Sequence, residues 1–243
     1  MKISIIGAGW VGKRLAKYLT EKNHHVIVTT TTPDKITELK TVAAEVHLLD
    51  FTEVYDTDFL NEAEVAIFSM PISQNSWHQG FDSINNVFPK TIFFSSTGIY
   101  PQQNRIFTEK DTDHLREDIL KSEMKVLEKY PQTVILRFGG LMGDERSLKN
   151  FFNNKTVPHP EKLVNYIHFE DILASINLLL HSDKAARIYN LVAPEHPSIS
   201  EILNIEDQNT MVQKDLSSQR IISSELFVQE FNYTFIHPDP KNF

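Results

Sequence analysis

Short β-branched apolar runs alternate along this chain with segments whose apolar positions recur every three or four residues. "KISIIG" (Lys2–Gly7) reads as a buried strand ending in glycine. From Trp10 to Lys22 the apolar positions Val11, Leu15, Ala16, Tyr18 and Leu19 keep helical spacing. "HVIVTT" (His25–Thr30) is a second strand. A helix is predicted from Pro33 to about Lys40, with Thr32 as its candidate N-cap. "AEVHLLD" (Ala44–Asp50), "EVAIFSM" (Glu64–Met70) and "TIFFSS" (Thr91–Ser96) are further strands. A long helix over Asp111–Lys129 and a sixth strand at "TVILRF" (Thr133–Phe138) follow.

This alternation predicts an α/β fold, a Rossmann-type doubly wound parallel sheet with a small C-terminal lobe. Beyond Gly143 the pattern loosens. "NYIHFEDILASINLLLHS" (Asn165–Ser182) ends in an amphipathic helix, and "RIYNLV" (Arg187–Val192) is a short strand. Helices near Ser200–Leu203 and Ser224–Glu230 and a strand at "NYTFIH" are expected. The whole of 1–243 reads as one nucleotide-binding domain, with 144–243 including the lobe packed on it. No repeat or low-complexity linker interrupts it.

Composition narrows the classes. Of the 243 residues 41% are hydrophobic, enough for a full core. The formal charge is -8 and basic residues are scattered, which argues against nucleic acid or an anionic membrane as partner. There is no cysteine, so disulfides, thiolate nucleophiles and Cys-ligated metals are excluded, and a cytoplasmic location is expected. The first apolar run is too short for a secretory segment, and no stretch of about 20 apolar residues could span a bilayer.

"GAGWVG" sets Gly7, Gly9 and Gly12 in G-x-G-x-x-G spacing between the first strand and the first helix. Gly7 permits a tight turn, Gly9 lets the backbone approach a pyrophosphate, and Gly12 lets helix pack on strand. The helix N-terminus then attracts the phosphates. A glycine-rich packing turn without a ligand is the alternative. At the end of the second strand, where NAD-binding chains usually carry Asp or Glu, stand Thr29, Thr30, Thr31 and Thr32. With Lys35, Lys13 or Arg14 nearby this favours NADP, with NAD as the other option. The threonines could also simply finish a strand and cap a helix.

"GAGWVG", "LLDFTE", "AIFSMPIS", "FFSSTGIYP", "VILRFGGLMG" and "NYIHFEDI" occur in that order from Lys2 to Val192. The ordered set resembles the extended short-chain dehydrogenases/reductases, the NAD-dependent epimerases and dehydratases, and most closely their atypical branch. The resemblance implies roles residue by residue. Gly7, Gly9, Trp10, Val11 and Gly12 would lie along the pyrophosphate. Asp50, with Phe51 beside it, would approach the adenine amino group. Ser69, Met70 and Pro71 would line the adenosine and the nicotinamide ribose. Ser96 would bond a substrate oxygen. Gly139, Gly140 and Leu141 would lie toward the nicotinamide, and His168 and Asp171 match the family's later histidine and aspartate. Tyr166 stands where many relatives have arginine.

One family element is missing. Active members carry Tyr-x-x-x-Lys on the helix after the fifth strand, where the pair trades a proton during hydride transfer. With Glu123 as anchor, Leu115 and Ile119 hold those positions, and Asp111–Lys129 contains no tyrosine. Leu115, Ile119, Leu120, Met124 and Leu127 form an apolar stripe instead, for packing on the sheet or on another subunit, so a monomer or a homodimer is expected. Tyr100 is a candidate substitute acid, with packing as its alternative role. No metal-ligand spacing and no G-x-S-x-G elbow is seen, so no metal is expected. The leading expectation is oxidoreductase or epimerase-like chemistry on a small molecule, sugar-like substrates included. The rival is a dinucleotide sensor that catalyses nothing.

Overall fold

In the computed structural model, residues 1–53, 55–185, 187–205 and 219–243 are described. Close contacts divide the chain into two units. The first comprises Met1–Ser96, Glu117–Leu136 and Leu179–Ile188. The second comprises Thr97–Arg116, Arg137–Leu178 and Tyr189–Phe243, so it draws on residues well before position 144.

The strands of the first unit are β1 (Lys2–Ile6), β2 (His25–Thr30), β3 (Glu45–Leu48), β4 (Val65–Phe68) and β5 (Lys90–Ser96). Two more, β7 (Val134–Phe138) and β10 (Ile188–Leu191), continue from it into the second unit; the short β6 (Ile106–Phe107) lies between them in sequence. The seven-stranded order is β10-β7-β5-β4-β1-β2-β3. Registers such as Ile3 opposite Val26, Ile3 opposite Val65 and Ile67 opposite Ile92 are parallel. β1 pairs with β2 on one side and β4 on the other. The connections after β1 therefore reverse direction there, and the crevice at the carboxyl ends of β1 and β4 is the topological switch point. The central strands are buried on both faces, as their unbroken apolar runs require. One core cluster gathers Phe68, Phe81, Phe88, Phe93, Trp77 and Tyr130.

Helix α1 (Trp10–Glu21) buries Val11, Gly12, Leu15, Ala16 and Leu19, as the pattern predicted. Pro33–Lys35 form a 3-10 turn leading into α2 (Ile36–Leu39), and the Thr32 side chain makes no capping bond. Its own amide instead donates to Thr30 Oγ1 at 3.1 Å. The short α3 (His78–Phe81) is followed by α4, which spans Glu117–Lys129 and does not start at Asp111. The reason is local. Asp111 accepts from Thr108 N at 2.8 Å, and His114 is left-handed with φ of 55°, so this stretch is held in turns. Leu115 thus precedes the helix. The expected apolar stripe is also corrected. The buried face of α4 is Ile119, Ser122, Glu123 and Val126, while Met124 is 60% exposed.

In the second unit β8 (Gly140–Met142) pairs with β9 (Tyr166–His168), and β6 pairs with β11 (Ile221–Ile222). Its helices are α5 (Leu148–Phe151), α6 (Phe169–Leu180, which closes in the first unit), α7 (Ile199–Leu203) and α8 (Glu225–Phe231). α7 carries a full capping box between Ser198 and Glu201. "NYTFIH" is not a strand. Its Tyr233 hydroxyl and the amides of Ile236 and His237 bond the buried Asp171 carboxylate, which leaves that edge no ladder partner.

Candidate functional site

The chain leaves β1 at Gly7, whose φ of 102° only glycine adopts readily. A Cβ here would sit 2.7 Å from Ser69 O, so β4 also forbids one. Gly12 is constrained from the other side, since its Cβ would lie 2.6 Å from Gly7 O. Gly9 differs from both. Its φ of -73° is open to any residue, and a Cβ would meet nothing within 4 Å. No protein atom explains the missing side chain. The space beside it is a cleft of about 480 Å³, within the range of small-molecule sites.

Gly9 is also the N-cap of α1, whose first turn carries no acidic residue. The positive end of the helix dipole thus meets no carboxylate of its own turn, as an anion site requires. Gly7 and Gly9 line the cleft, while Val11 and Gly12 are buried beneath the turn. The Trp10 ring stacks under the Arg14 guanidinium, 4.0 Å from its centroid.

The four threonines divide their work. Thr29 Oγ1 accepts from Gly7 N at 3.0 Å and ties the glycine turn to β2. Thr30 Oγ1 accepts from Thr32 N. Thr31, Thr32 and Lys35 line the cleft. Of the cations considered, Lys13 is paired with Glu38. Lys35 is exposed and makes no ion pair among the described residues.

The opposite wall holds Asp50, Phe51, Ser69, Met70 and Pro71. Asp50 accepts from Thr52 N at 2.9 Å and Thr52 Oγ1 at 2.7 Å, and these bonds hold its carboxyl below the usual range. Phe51 is buried, packed edge-on against Tyr55 and Phe81. Trp77 closes the floor, its indole N–H donating to Pro71 O at 3.1 Å. Next to it, Ser122 Oγ donates to the Ile72 and Asp118 carbonyls, so His78 presents its Nε2–H to that oxygen at 3.0 Å.

Ser96 is half-buried at the end of β5. Its neighbour Ser95 points to α4 and donates to the buried Glu123 carboxylate at 2.5 Å. Ile119, at the family's lysine position, is 2% exposed and apolar.

In the second unit Tyr100 is buried. Its hydroxyl donates to Asn190 Oδ1 at 2.9 Å and accepts from Arg137 Nη1 at 2.9 Å, and burial pushes its pKa up. Glu109 joins this network by accepting from Asn190 N, and its carboxyl is raised by burial. The phenol's donor and acceptor sites are thus both engaged within the second unit. His168 is buried, with Nδ1 accepting from Glu170 N at 3.3 Å, and desolvation lowers its pKa. Asp171 is fully buried and clamps the 233–237 segment. His237, 66 residues and more from these in sequence, sets its ring centroid 3.8 Å from that of His168 at a 42° tilt and bonds Glu170 at 2.5 Å. Sequence spacing alone did not bring this group together. Its nitrogen and oxygen donors lie within 4.8 Å of one another, but the His168 Nδ1 lone pair already faces an amide at a helix N-terminus, a poor place for a cation. Gly139 lets the Asn165 carbonyl approach, 2.5 Å from where a Cβ would be. Leu141 lines a separate cavity in this unit.

Residues 2–77, the segment that builds this cleft, match a protein family described as NADP oxidoreductase coenzyme F420-dependent. The chain is 28% identical to Protein YeeZ of Escherichia coli (strain K12) over 270 residues, covering 98% of this chain and 97% of that one. Among solved structures it is similar to the UDP-glucuronic acid 4-epimerase from Bacillus cereus in complex with NAD. There the TM-score is 0.75 at 15% identity, covering 100% of this chain and 93% of that one. It is also similar to the human epimerase family protein SDR39U1 (isoform2) with NADPH. That TM-score is 0.69 at 12% identity, with 99% and 97% covered. These two neighbours share the fold that the ordered motifs pointed to, and the Rossmann-type α/β expectation holds. No helix among the described residues is long and apolar enough to cross a membrane.

Proposed function

We propose that the first unit binds NADP(H), and that the chain is an NAD(P)-dependent oxidoreductase or epimerase-like protein that works without the usual Tyr-x-x-x-Lys pair. The observation that carries this reading is Gly9: a glycine with neither a conformational nor a steric reason in the protein, opening on a cleft at the switch point. In this reading the pyrophosphate passes over Gly9 onto the α1 dipole. Asp50 faces the adenine, and Ser69–Pro71 line the ribose side. Thr31 and Lys35 take the 2′-phosphate, since a hydroxyl and an ammonium suit a phosphate where a carboxylate would repel it. The family match described as an NADP oxidoreductase supports NADP, while the solved neighbours carry NAD in one case and NADPH in the other.

The bound nicotinamide would supply hydride transfer. Ser96 orients a substrate oxygen, and its hydroxyl is a poor acid near neutral pH. General acid assistance contributes about 10²–10⁴-fold, and the apolar Ile119 supplies none. A specific observation therefore favours a second reading, a dinucleotide-sensing protein: the dyad positions are apolar, and Leu115 lies outside the helix. Titration with NADPH and NADH, followed by NADPH oxidation on aldehydes, ketones and nucleotide sugars, separates the readings. Tight NADPH binding with turnover on one class supports the enzyme. Tight binding without turnover supports the sensor. Absence of binding to either dinucleotide refutes both.

A further inference from the structure

The second unit contains a cavity of about 520 Å³ between β8, β9, α5 and α7. Its walls are mainly apolar: Leu141, Met142, Leu148, Phe152, Tyr166 and Ile199. Gly140 stands opposite Tyr166 in the β8–β9 register, and a Cβ there would lie 2.4 Å from the Tyr166 ring. The glycine thus lets the ring lie flat across β8, where it forms part of the wall.

Two features mark this cavity. Tyr166 is half-buried in its wall, and its hydroxyl makes no hydrogen bond among the described residues, so it can bond a ligand's oxygen there. Phe151 lines the same cavity and is 62% exposed, edge-on to Phe152 at 4.9 Å. The rest of the apolar lining is buried or half-buried, so Phe151 is a single exposed ring at a concave mouth and not part of a flat interface.

Charge narrows the ligand. The lining carries Arg146 beside Glu145, and Lys155 Nζ stands 4.9 Å from the centroid of the Phe151 ring at the mouth. Their sum is one positive charge, and a nucleoside diphosphate would bring at least two negative charges against it, with a carboxylate next to the guanidinium. We infer that this cavity binds an uncharged, apolar, ring-bearing small molecule with an oxygen placed for the Tyr166 hydroxyl, and not a nucleoside-diphosphate sugar. Naming that ligand a substrate rests on the oxidoreductase reading; its binding does not.

The probes are 2-naphthol and UDP-glucose, titrated separately into the full chain with methyl-¹³C methionine and no dinucleotide. The inference expects 2-naphthol to shift the Met142 methyl resonance saturably with Kd below about 1 mM, and UDP-glucose to leave it unmoved. Tyr166→Phe should weaken 2-naphthol about fivefold through the lost hydrogen bond. Phe151→Ser, at an exposed site that folding tolerates, should weaken it at least about threefold. Saturation by UDP-glucose, no response to 2-naphthol, or 2-naphthol binding indifferent to both substitutions would each overturn the inference. NADPH titration of the same sample reports the first unit independently: naphthol binding without NADPH binding would sink the proposed function and leave this cavity's assignment standing.

Discussion

Alanine at Gly12 and alanine at Gly9 should behave as opposites in stability, although the two sites are three residues apart in one motif. At Gly12 the new Cβ would lie 2.6 Å from Gly7 O, about 0.8 Å inside the 3.4 Å at which ordinary contact begins. The obstacle is backbone, held by β1 and β4, so it cannot swing aside. Helix α1 must move off the sheet, and overpacking of this kind costs about 1–3 kcal/mol. For a chain of this size that is about 2–12 °C in Tm. At Gly9 the φ of -73° suits alanine and nothing lies within 4 Å. Loss of unfolded-state freedom favours the variant by about 0.4–1 kcal/mol. A poorer N-cap opposes it by a few tenths to about 1 kcal/mol. The net change should stay within about 0.5 kcal/mol. Urea unfolding of both variants without nucleotide measures this, read as a change of midpoint at constant slope. Equal destabilisation at the two positions would refute the argument, because Gly9 would then have a structural role that the geometry does not show.

Thr31→Asp should weaken NADPH at least about tenfold and spare NADH, because a carboxylate in the cleft wall repels the 2′-phosphate but can accept from a ribose hydroxyl; calorimetry with both dinucleotides checks it, and a wild-type preference for NADH would contradict it. The His78 ring is held below its ordinary 6.5 by burial and by Lys125, with Asp82 opposing. The unfolded state therefore binds more protons just below pH 6.5, and this contribution, fully present above that pH, is lost as pH falls toward the folded value. Glu109, raised by burial, acts in the opposite sense, so the comparison needed is wild type against His78→Asn. The variant's urea midpoint should fall less between pH 7 and pH 5, and parallel pH profiles would show that the His78 environment has been misread.

The succession of strands along the chain and the glycine spacing were legible because both are local: an apolar run and its flanking glycines lie within a few residues. The spacing already separated Gly7 for the turn and Gly12 for packing from Gly9 for the phosphate approach, and the contacts that enforce the separation, Ser69 O at Gly7 and Gly7 O at Gly12 with nothing at Gly9, come from the fold. The start of α4 was misread because helical spacing continues through 111–116, where the Thr108–Asp111 bonds and the left-handed His114 override it. Its inner face was misread because Ser122 and Glu123 look solvent-directed until Ile72, His78 and Ser95 supply partners. The partners of Tyr100, Arg137 and Asn190, stand 37 and 90 positions away, and no motif announces them. All four threonines line the cleft, but only the fold shows that Thr29 and Thr30 commit their hydroxyl oxygens to the amides of Gly7 and Thr32.

The central claim is that the space beside Gly9 belongs to a dinucleotide's phosphates. Calorimetric titration of NADPH into wild type and Gly9→Val, with folding of the variant verified by its unfolding midpoint, tests it most directly. The Cβ would meet no protein atom within 4 Å, and the branched methyls would extend into the space beside it. The account predicts at least tenfold weaker binding, about 1.4 kcal/mol, in a variant that remains folded. Equal affinity in the two proteins would contradict it.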